Sequence, residues 1–397
     1  MNFIKEDSPF TPGKPVPIDF FVGRQIELER IFRAIGQVKA GKQENLFIIG
    51  ERGMGKTSLA SFVKYISETK NDFVGIHVNL SGINTIEEMC KKVFENLLKE
   101  TYNKPIFDKV KNFFKNHIKE VGLFGVSVQF NVEQGELKNL VANFIPSLRN
   151  IYEKLRETNK GIILILDDIN GLADDPNFAH FLKSTVDEIA TGEPLPLFLV
   201  LAGMHEIRDK ILKHQPSAGR IFNIVDVKRL TDNESTEFFT RAFESRNIKV
   251  NDDAMYSMVK WSSGLPMLIH EIGDSIYWND KDGIIDRAEA INGILTASTN
   301  VGQKILDRQV LNAIRSAKYK SILKKMKNME LKLEIPFSKK EVMEKLGDSE
   351  KKTFDNFVQR MKQLGVLKNG EQRGEYEFTN NVFFAYLMIV ADLGPEI

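Results

Sequence analysis

The sequence predicts an α/β domain on a parallel sheet, then a small helical lid domain, then a C-terminal winged-helix domain. Three observations predict this order. Apolar runs of the kind that form buried parallel strands alternate with helical stretches up to about residue 230. One such run leads into Gly50-Glu51-Arg52-Gly53-Met54-Gly55-Lys56-Thr57, an unbroken G-x-x-x-x-G-K-[ST] phosphate loop. After residue 300 the pattern becomes helix, turn, helix and hairpin. The expected division is 1–230, 231–300 and 301–397.

The elements follow in order. Leu28, Ile31, Phe32 and Ile35 recur at helical spacing after an extended Pro15-Val16-Pro17 segment. Leu46-Phe47-Ile48-Ile49 is the first strand, and Ser58 to Ser67 is the helix behind the phosphate loop. Phe73 to Leu80 alternates like a second strand, and residues 85 to 100 return to helical periodicity. Lys104 to Lys119 has a basic, helical pattern, whereas Gly122 to Val132 alternates like a strand or hairpin. Residues 102–136 therefore form an insertion, either a contact surface for a protein partner or a plain extra hairpin on the core. Ile145 to Leu155 is helical, Gly161 to Asp168 is a buried strand ending in two carboxylates, and Leu195 to Ala202 is another buried strand. Ile221 to Val227 makes a last short strand, after which strands stop.

From Thr231, whose side chain begins a Thr-x-x-Glu capping box, helices are expected over Thr231–Asn247, Asp252–Ser262 and Met267–Trp278. Ile305 to Met329 is helical and Lys-rich, and Ser338 opens a short helix through a second capping box with Glu341. Phe354, Phe357, Val358, Met361 and Leu364 line one face of the next helix. Gly365-Val366-Leu367 and Glu375 to Phe378 are the arms of a closing hairpin.

Composition narrows the function classes. The 397 residues are 42% hydrophobic and 27% charged, as in ordinary soluble proteins. No apolar run approaches the ~20 residues that span a bilayer, and Met1 to Pro17 is polar and Pro-rich, unlike a signal peptide. The single cysteine, Cys90, excludes an internal disulfide framework, suits a reducing cytoplasm, and lies in a helical pattern that predicts a buried thiol. A formal charge of +1 leaves any case for nucleic acid to local patches.

The phosphate loop defines the chemistry. Its glycines let backbone N–H groups point inward around a phosphate, helped by the positive end of the following helix. Lys56 is placed to reach the β- and γ-phosphates of ATP, and the Thr57 hydroxyl to hold Mg²⁺. Gly50, Glu51, Arg52, Gly53, Met54, Gly55 and Ser58 complete the cradle. About 110 residues on, Asp167 would reach Mg²⁺ and Asp168 would orient or deprotonate the attacking water. Arg220, between a helix and the last strand, is either a finger completing a neighbouring copy's site in a homo-oligomer or an ordinary structural ion pair.

Together the segments F-V-G-R-Q-I-E-L (21–28), the phosphate loop, the D-D strand end, L-A-G-M-H-E-I (201–207) and S-G-L-P-M-L-I-H (263–270) resemble the AAA+-related ATPases. Nearest are the STAND-type and the archaeal and bacterial ATPases akin to the replication-initiator clade. The resemblance implies that Val22, Gly23 and Arg24 lie near the adenine, and that a G-x-P motif ending in Pro266 replaces the usual sensor arginine. It also implies a winged helix after the lid, whose closing strand and helix match Y-E-F-T-N-N-V-F-F-A-Y-L (376–387). The expected polar sensor after the Leu195–Ala202 strand is missing; Gly203-Met204-His205 stands there, so His205 either substitutes or caps the surface. ATP hydrolysis to ADP is therefore expected to be slow.

Two roles compete. Lys304 to Lys340 carries eleven Lys or Arg against three acids, a local excess of eight. With Lys351, Lys352, Asn356, Gln359 and Arg360, and with Lys368 and Arg373 on the hairpin, residues 304–373 offer a surface for duplex DNA. The other role is a nucleotide-gated switch that recruits a protein, for which the 102–136 insertion and the near-neutral charge speak.

Overall fold

Five apolar runs become the strands of one parallel sheet in the computed structural model, which describes residues 5, 7–102, 106–113, 118–121, 128–130, 134–304, 316–327, 329, 336–379 and 381–392. Two compact units divide the chain: Pro17–Lys228, and Met1–Val16 with Arg229–Ile397.

In the first unit, α1 (Gln25–Lys39) leads to β1 (Glu44–Ile49), then α2 (Lys56–Asn71), β2 (Phe73–Asn79) and α3 (Ile86–Thr101). α4 (Phe107–Phe113), β3 (Ile118–Val121), β4 (Val128–Phe130) and α5 (Gln134–Ala142) make up the insertion as described. α6 (Phe144–Leu155), β5 (Gly161–Asp167), α7 (Pro176–Thr191), β6 (Leu197–Gly203), α8 (His205–His214), α9 (Ala218–Ile221) and β7 (Asn223–Asp226) complete it. The strand order is β2-β5-β6-β1-β7, with every pair parallel. β6 thus lies between the phosphate-loop strand and the carboxylate strand, and the sheet is that of an α/β P-loop NTPase.

Burial explains the strand sequences. β5 and β6 are buried at every residue because helices cover both faces, so they read as continuous apolar runs. α3 and α6 press Val93, Phe94, Leu97, Leu148 and Ile151 into the core. Each such side chain contributes roughly 1.5–3 kcal/mol by leaving water. Cys90 sits among them, and burial pushes its thiol up from the ordinary range, as expected of an inert structural cysteine. Register carries the architecture to function: Asn79, Asp167 and Ala202 align across the sheet, and Ile49, Gly203 and Asp226 align one step on. The carboxyl ends of all five strands therefore share one edge.

Three expectations are corrected. The helix over Lys104 to Lys119 ends at Phe113 among the described residues, and Ile118–Val121 is instead a strand paired antiparallel with Val128–Phe130. Cross-strand backbone bonds there outweigh helical propensity. Residues 103–105, 114–117, 122–127 and 131–133 of the insertion lie outside the described residues. In α1, Phe32 is 43% exposed, and the buried stripe is Ile31, Ala34, Ile35 and Val38. The run expected as a strand over Ile221 to Val227 begins as the last turn of α9.

The second unit contains α10 (Asp232–Glu244), β8 (Lys249–Val250), α11 (Asp252–Ser262), α12 (Pro266–Asn279), β9 (Ile284–Ile285) and α13 (Arg287–Val301). Strands do not wholly stop at Thr231: β8 and β9 pair in parallel, two residues each, too short to leave a periodic signal. The capping box at Thr231 is formed with Glu234. The described residues up to Val16 belong here: Phe10 is buried against Phe243 at 4.9 Å and Phe238 at 6.1 Å, over Gly273, where a Cβ would meet the Phe10 ring at 2.2 Å.

α14 (Ala317–Lys327), β10 (Phe337–Ser338), α15 (Lys339–Lys345), α16 (Asp348–Gln363), β11 (Leu367–Asn369), β12 (Glu375–Phe378) and α17 (Asn381–Asp392) close the chain. β10, β12 and β11 form a small antiparallel sheet in that order. Ser338 caps α15 in a box with Glu341, and Phe354, Phe357, Val358 and Met361 are the buried face of α16. Residues 305–315, 328 and 330–335 of the Lys-rich stretch lie outside the described residues. Among the described residues no helix is long and apolar enough to cross a membrane.

Candidate nucleotide site

β1 ends at Ile49 and the chain turns through Gly50–Gly55 before α2 begins at Lys56. Gly53 and Gly55 take φ +82° and +86°, a region where a side chain is strained. Gly50 is required for a different reason: a Cβ would lie 2.9 Å from the Val227 carbonyl. The loop's ammonium, Lys56 Nζ, donates to the carbonyls of Gly50 at 3.0 Å and Glu51 at 2.8 Å, so it spans the mouth of the loop. Burial lowers the Lys56 pKa, opposed by the negative charges of Asp167 and Asp168. Thr57 and Ser58 are half-buried in the first turn of α2, and Glu51 and Arg52 are exposed.

Asp167, the last residue of β5, is 2% exposed. Its carboxylate oxygen Oδ2 lies 3.2 Å from His77 Nε2 on the neighbouring strand β2. Asp168 follows in a left-handed conformation at φ 56°, and Asn170 donates its amide to the Asp168 carboxylate. Backbone strain of that kind is held only where surrounding bonds enforce it. His77 and Asn170 escape sequence reasoning; the one signal is that His77 and Asn79 are the polar breaks in an otherwise buried strand.

Val22 is buried, and Gly23 and Arg24 both take left-handed φ, at 68° and 65°, ahead of α1. The Arg24 guanidinium is turned inward, donating to Met54 O at 2.9 Å and to Lys228 O. His205 Nε2 pairs with Asp226 Oδ1 at 3.0 Å beside the end of β6. Arg220 is exposed on α9, and its side chain makes no hydrogen bond or ion pair among the described residues. In the other unit, Gly264 takes φ +66° with its Cβ position 2.0 Å from Leu230 O, and Pro266 occupies the first turn of α12, where its missing N–H costs nothing. Gly-Leu-Pro is thus explained by backbone packing within its own unit.

A family model for the AAA ATPase domain matches residues 21–201, which take in the Gly-Arg turn, the phosphate loop, both aspartates and most of β6. Residues 21–201 therefore resemble an AAA ATPase domain. A Walker-type ATPase of Pyrococcus abyssi superposes with a TM-score of 0.53 at 17% identity, covering 92% of this chain and 96% of that one. The Thermotoga maritima RuvB Holliday junction branch migration motor is similar at a TM-score of 0.47, 16% identity, and 91% and 93% coverage. An uncharacterised HTH-type transcriptional regulator of Methanocaldococcus jannaschii is 21% identical over 308 residues, 72% of this chain and 71% of the relative.

Beyond residues 21–201, carboxylate oxygens of Asp280, Asp282 and Glu289 lie within 4.8 Å of one another. They are occupied by the Lys5 ammonium and by the amides of Gly283, Ile284 and Asp286, which makes them turn and cap groups. On α16, Lys352, Asn356, Gln359 and Arg360 are exposed. An open polar groove of about 570 Å³ runs between α14 and α16, lined by Tyr319, Asn356, Gln359, Arg360 and Gln363 among others. At the hairpin, Lys368 pairs with Glu377 at 2.6 Å, and Arg373 is exposed.

Proposed function

We propose that the chain binds and hydrolyses ATP with Mg²⁺, and that nucleotide state controls DNA binding or self-association through its C-terminal helix–hairpin region. The observation that carries the ATPase reading is the phosphate loop with Lys56 at the head of α2, at the same edge of the sheet as the Asp167-Asp168 strand end. When ATP arrives, its β- and γ-phosphates replace the Gly50 and Glu51 carbonyls as acceptors for Lys56. The Thr57 hydroxyl and Asp167 would hold Mg²⁺, which would supply charge neutralisation, with His77 fixing the Asp167 carboxylate. Asp168 takes the proton of the attacking water once its carboxylate is free of Asn170. Arg220, exposed and without an ion pair among the described residues, suits a finger offered to a second copy. The assignments of Val22, Gly23 and Pro266 to the nucleotide rest on the resemblance alone.

The DNA reading is supported by the order helix, helix, hairpin over Lys339–Phe378, which suits a winged helix, and by the exposed Lys352 and Arg360. The name of the M. jannaschii relative, a transcriptional regulator, points the same way. A nucleotide-gated switch that recruits a protein is the second reading, and the antiparallel hairpin in the insertion favours it. Fluorescence anisotropy of labelled duplex with ATP, ADP or no nucleotide, across a salt series, separates them. Nucleotide-dependent, salt-steep binding supports the first; weak, nucleotide-blind binding favours the second.

A further inference from the structure

Arg24 is 6% exposed, in a left-handed conformation at the start of α1. Its fork reaches two carbonyls at once, Met54 inside the phosphate loop at 2.9 Å and Lys228 at the last residue of its unit. Glu27, 3.7 Å away, balances the charge. A guanidinium stays protonated and offers donors in a rigid fork, so it fixes the spacing of the two acceptors. The same two segments also meet through backbone: Val227 N donates to Ile49 O at 2.8 Å, and Gly50 leaves no room for a side chain against Val227. One residue further on, the chain enters the second unit, where Arg229 donates to Thr379 O at 2.8 Å and Leu230 N to Gly264 O at 2.8 Å. The junction is therefore anchored on both of its sides.

We infer that Arg24 is a positioning residue that transmits the state of the phosphate loop to the Lys228–Arg229 junction, and is not a ligand of the nucleotide. Lys56 holds the loop through Gly50 and Glu51 carbonyls that it must release to a phosphate, so the loop backbone is reset on binding. The Met54 carbonyl belongs to that backbone, and any shift there either drags the Arg24 fork or breaks one arm; both change what the Lys228 carbonyl feels. The inference rests on the phosphate loop being a nucleotide site.

Hydrogen exchange of the amides Val227 to Leu230 tests it, in wild type, Arg24→Lys and Arg24→Met, each with and without saturating ATP. Wild type should show an ATP-dependent change of about tenfold in exchange rate, the scale of one charge-assisted hydrogen bond. Both variants, once saturated, should show no such change; Arg24→Lys keeps the charge but lacks the two-armed reach, so it serves where Arg24→Met fails to fold. A wild-type-like change in saturated Arg24→Lys overturns the inference. So does failure of the folded variants to bind ATP at all, which would make Arg24 a nucleotide ligand. If wild type itself binds no ATP, the nucleotide reading falls and the inference with it; if it binds ATP and the junction amides do not respond, the inference alone falls.

Discussion

The phosphate-loop edge of the sheet and the outer face of α16 are both polar surfaces, but they are built in opposite ways. At the sheet edge four charged groups are held: Lys56 by two carbonyls, Asp167 by His77, Asp168 by Asn170, and Arg24 by Met54 and Lys228. On α16 the side chains Lys352, Asn356 and Gln359 stand exposed above a buried apolar face, and Arg360 donates to its neighbour Gln363. Preorganised donors suit a single ligand with fixed geometry, whereas a loosely held polar face suits a repeating polyanion or a partner surface. Changes at the first region should therefore be large and specific, and changes at the second small and spread over many residues.

The largest expected effect is on turnover. Asp168→Asn should lower the ATP hydrolysis rate by roughly 10²- to 10⁴-fold, the range for loss of a general base, while ATP affinity stays within a few-fold. A phosphate-release assay beside equilibrium binding reads both; an unchanged rate would remove Asp168 from the mechanism. Lys56→Ala should weaken ATP binding by about 100-fold, the scale of losing charge-assisted bonds to phosphate. Equal affinity in wild type and variant would break the site assignment. His77→Leu should raise the Mg²⁺ concentration for half-maximal ATP binding several-fold, and His77→Gln, which keeps a donor, should recover part of it. Mn²⁺ binding followed by electron paramagnetic resonance is the check.

A pH effect sharpens the comparison from within the second unit. Burial holds His270 down to about 4, and its Nδ1 accepts the Thr11 amide at 3.0 Å. The folded value lies below the unfolded value of about 6.5, so the unfolded chain takes up a proton that the native state refuses. Stability is complete above pH 6.5 and declines as pH falls toward 4, by about 2 kcal/mol at pH 5. Urea unfolding at pH 7.5 and pH 5 measures it, and His270→Asn should flatten the difference.

Legibility in the sequence followed the same contrast. The β1–loop–α2 unit was readable because its glycines, lysine and threonine are demanded by local backbone geometry and sit in consecutive positions. β5 and β6 were readable because burial on both faces leaves unbroken apolar runs. His77 was not, because its importance comes from a partner on another strand, set by register rather than by spacing along the chain. Phe10 was missed for the same reason, since its aromatic partners begin at Phe238. The inward turn of Arg24 needed the positive φ that only the structure supplies. In the insertion, β3 was hidden because four residues of alternating pattern look like the end of a basic helix.

The smallest predicted effect is at α16, and it decides which kind of surface that face is. If the face lies along duplex DNA, Lys352→Ala and Arg360→Ala should each weaken binding to all sequences alike and lower the slope of log affinity against log salt by roughly 0.9. Gln359→Ala should leave that slope alone and alter only the preference among sequences, because an amide reads base edges and neutralises no phosphate. Slopes that stay put in both charge variants, with binding intact, would place the DNA elsewhere on the chain. If instead the variants lose a protein partner while duplex affinity is already negligible in wild type, the loosely held polar face is a recruiting surface, and the contrast with the preorganised sheet edge survives with a different ligand on its weaker side.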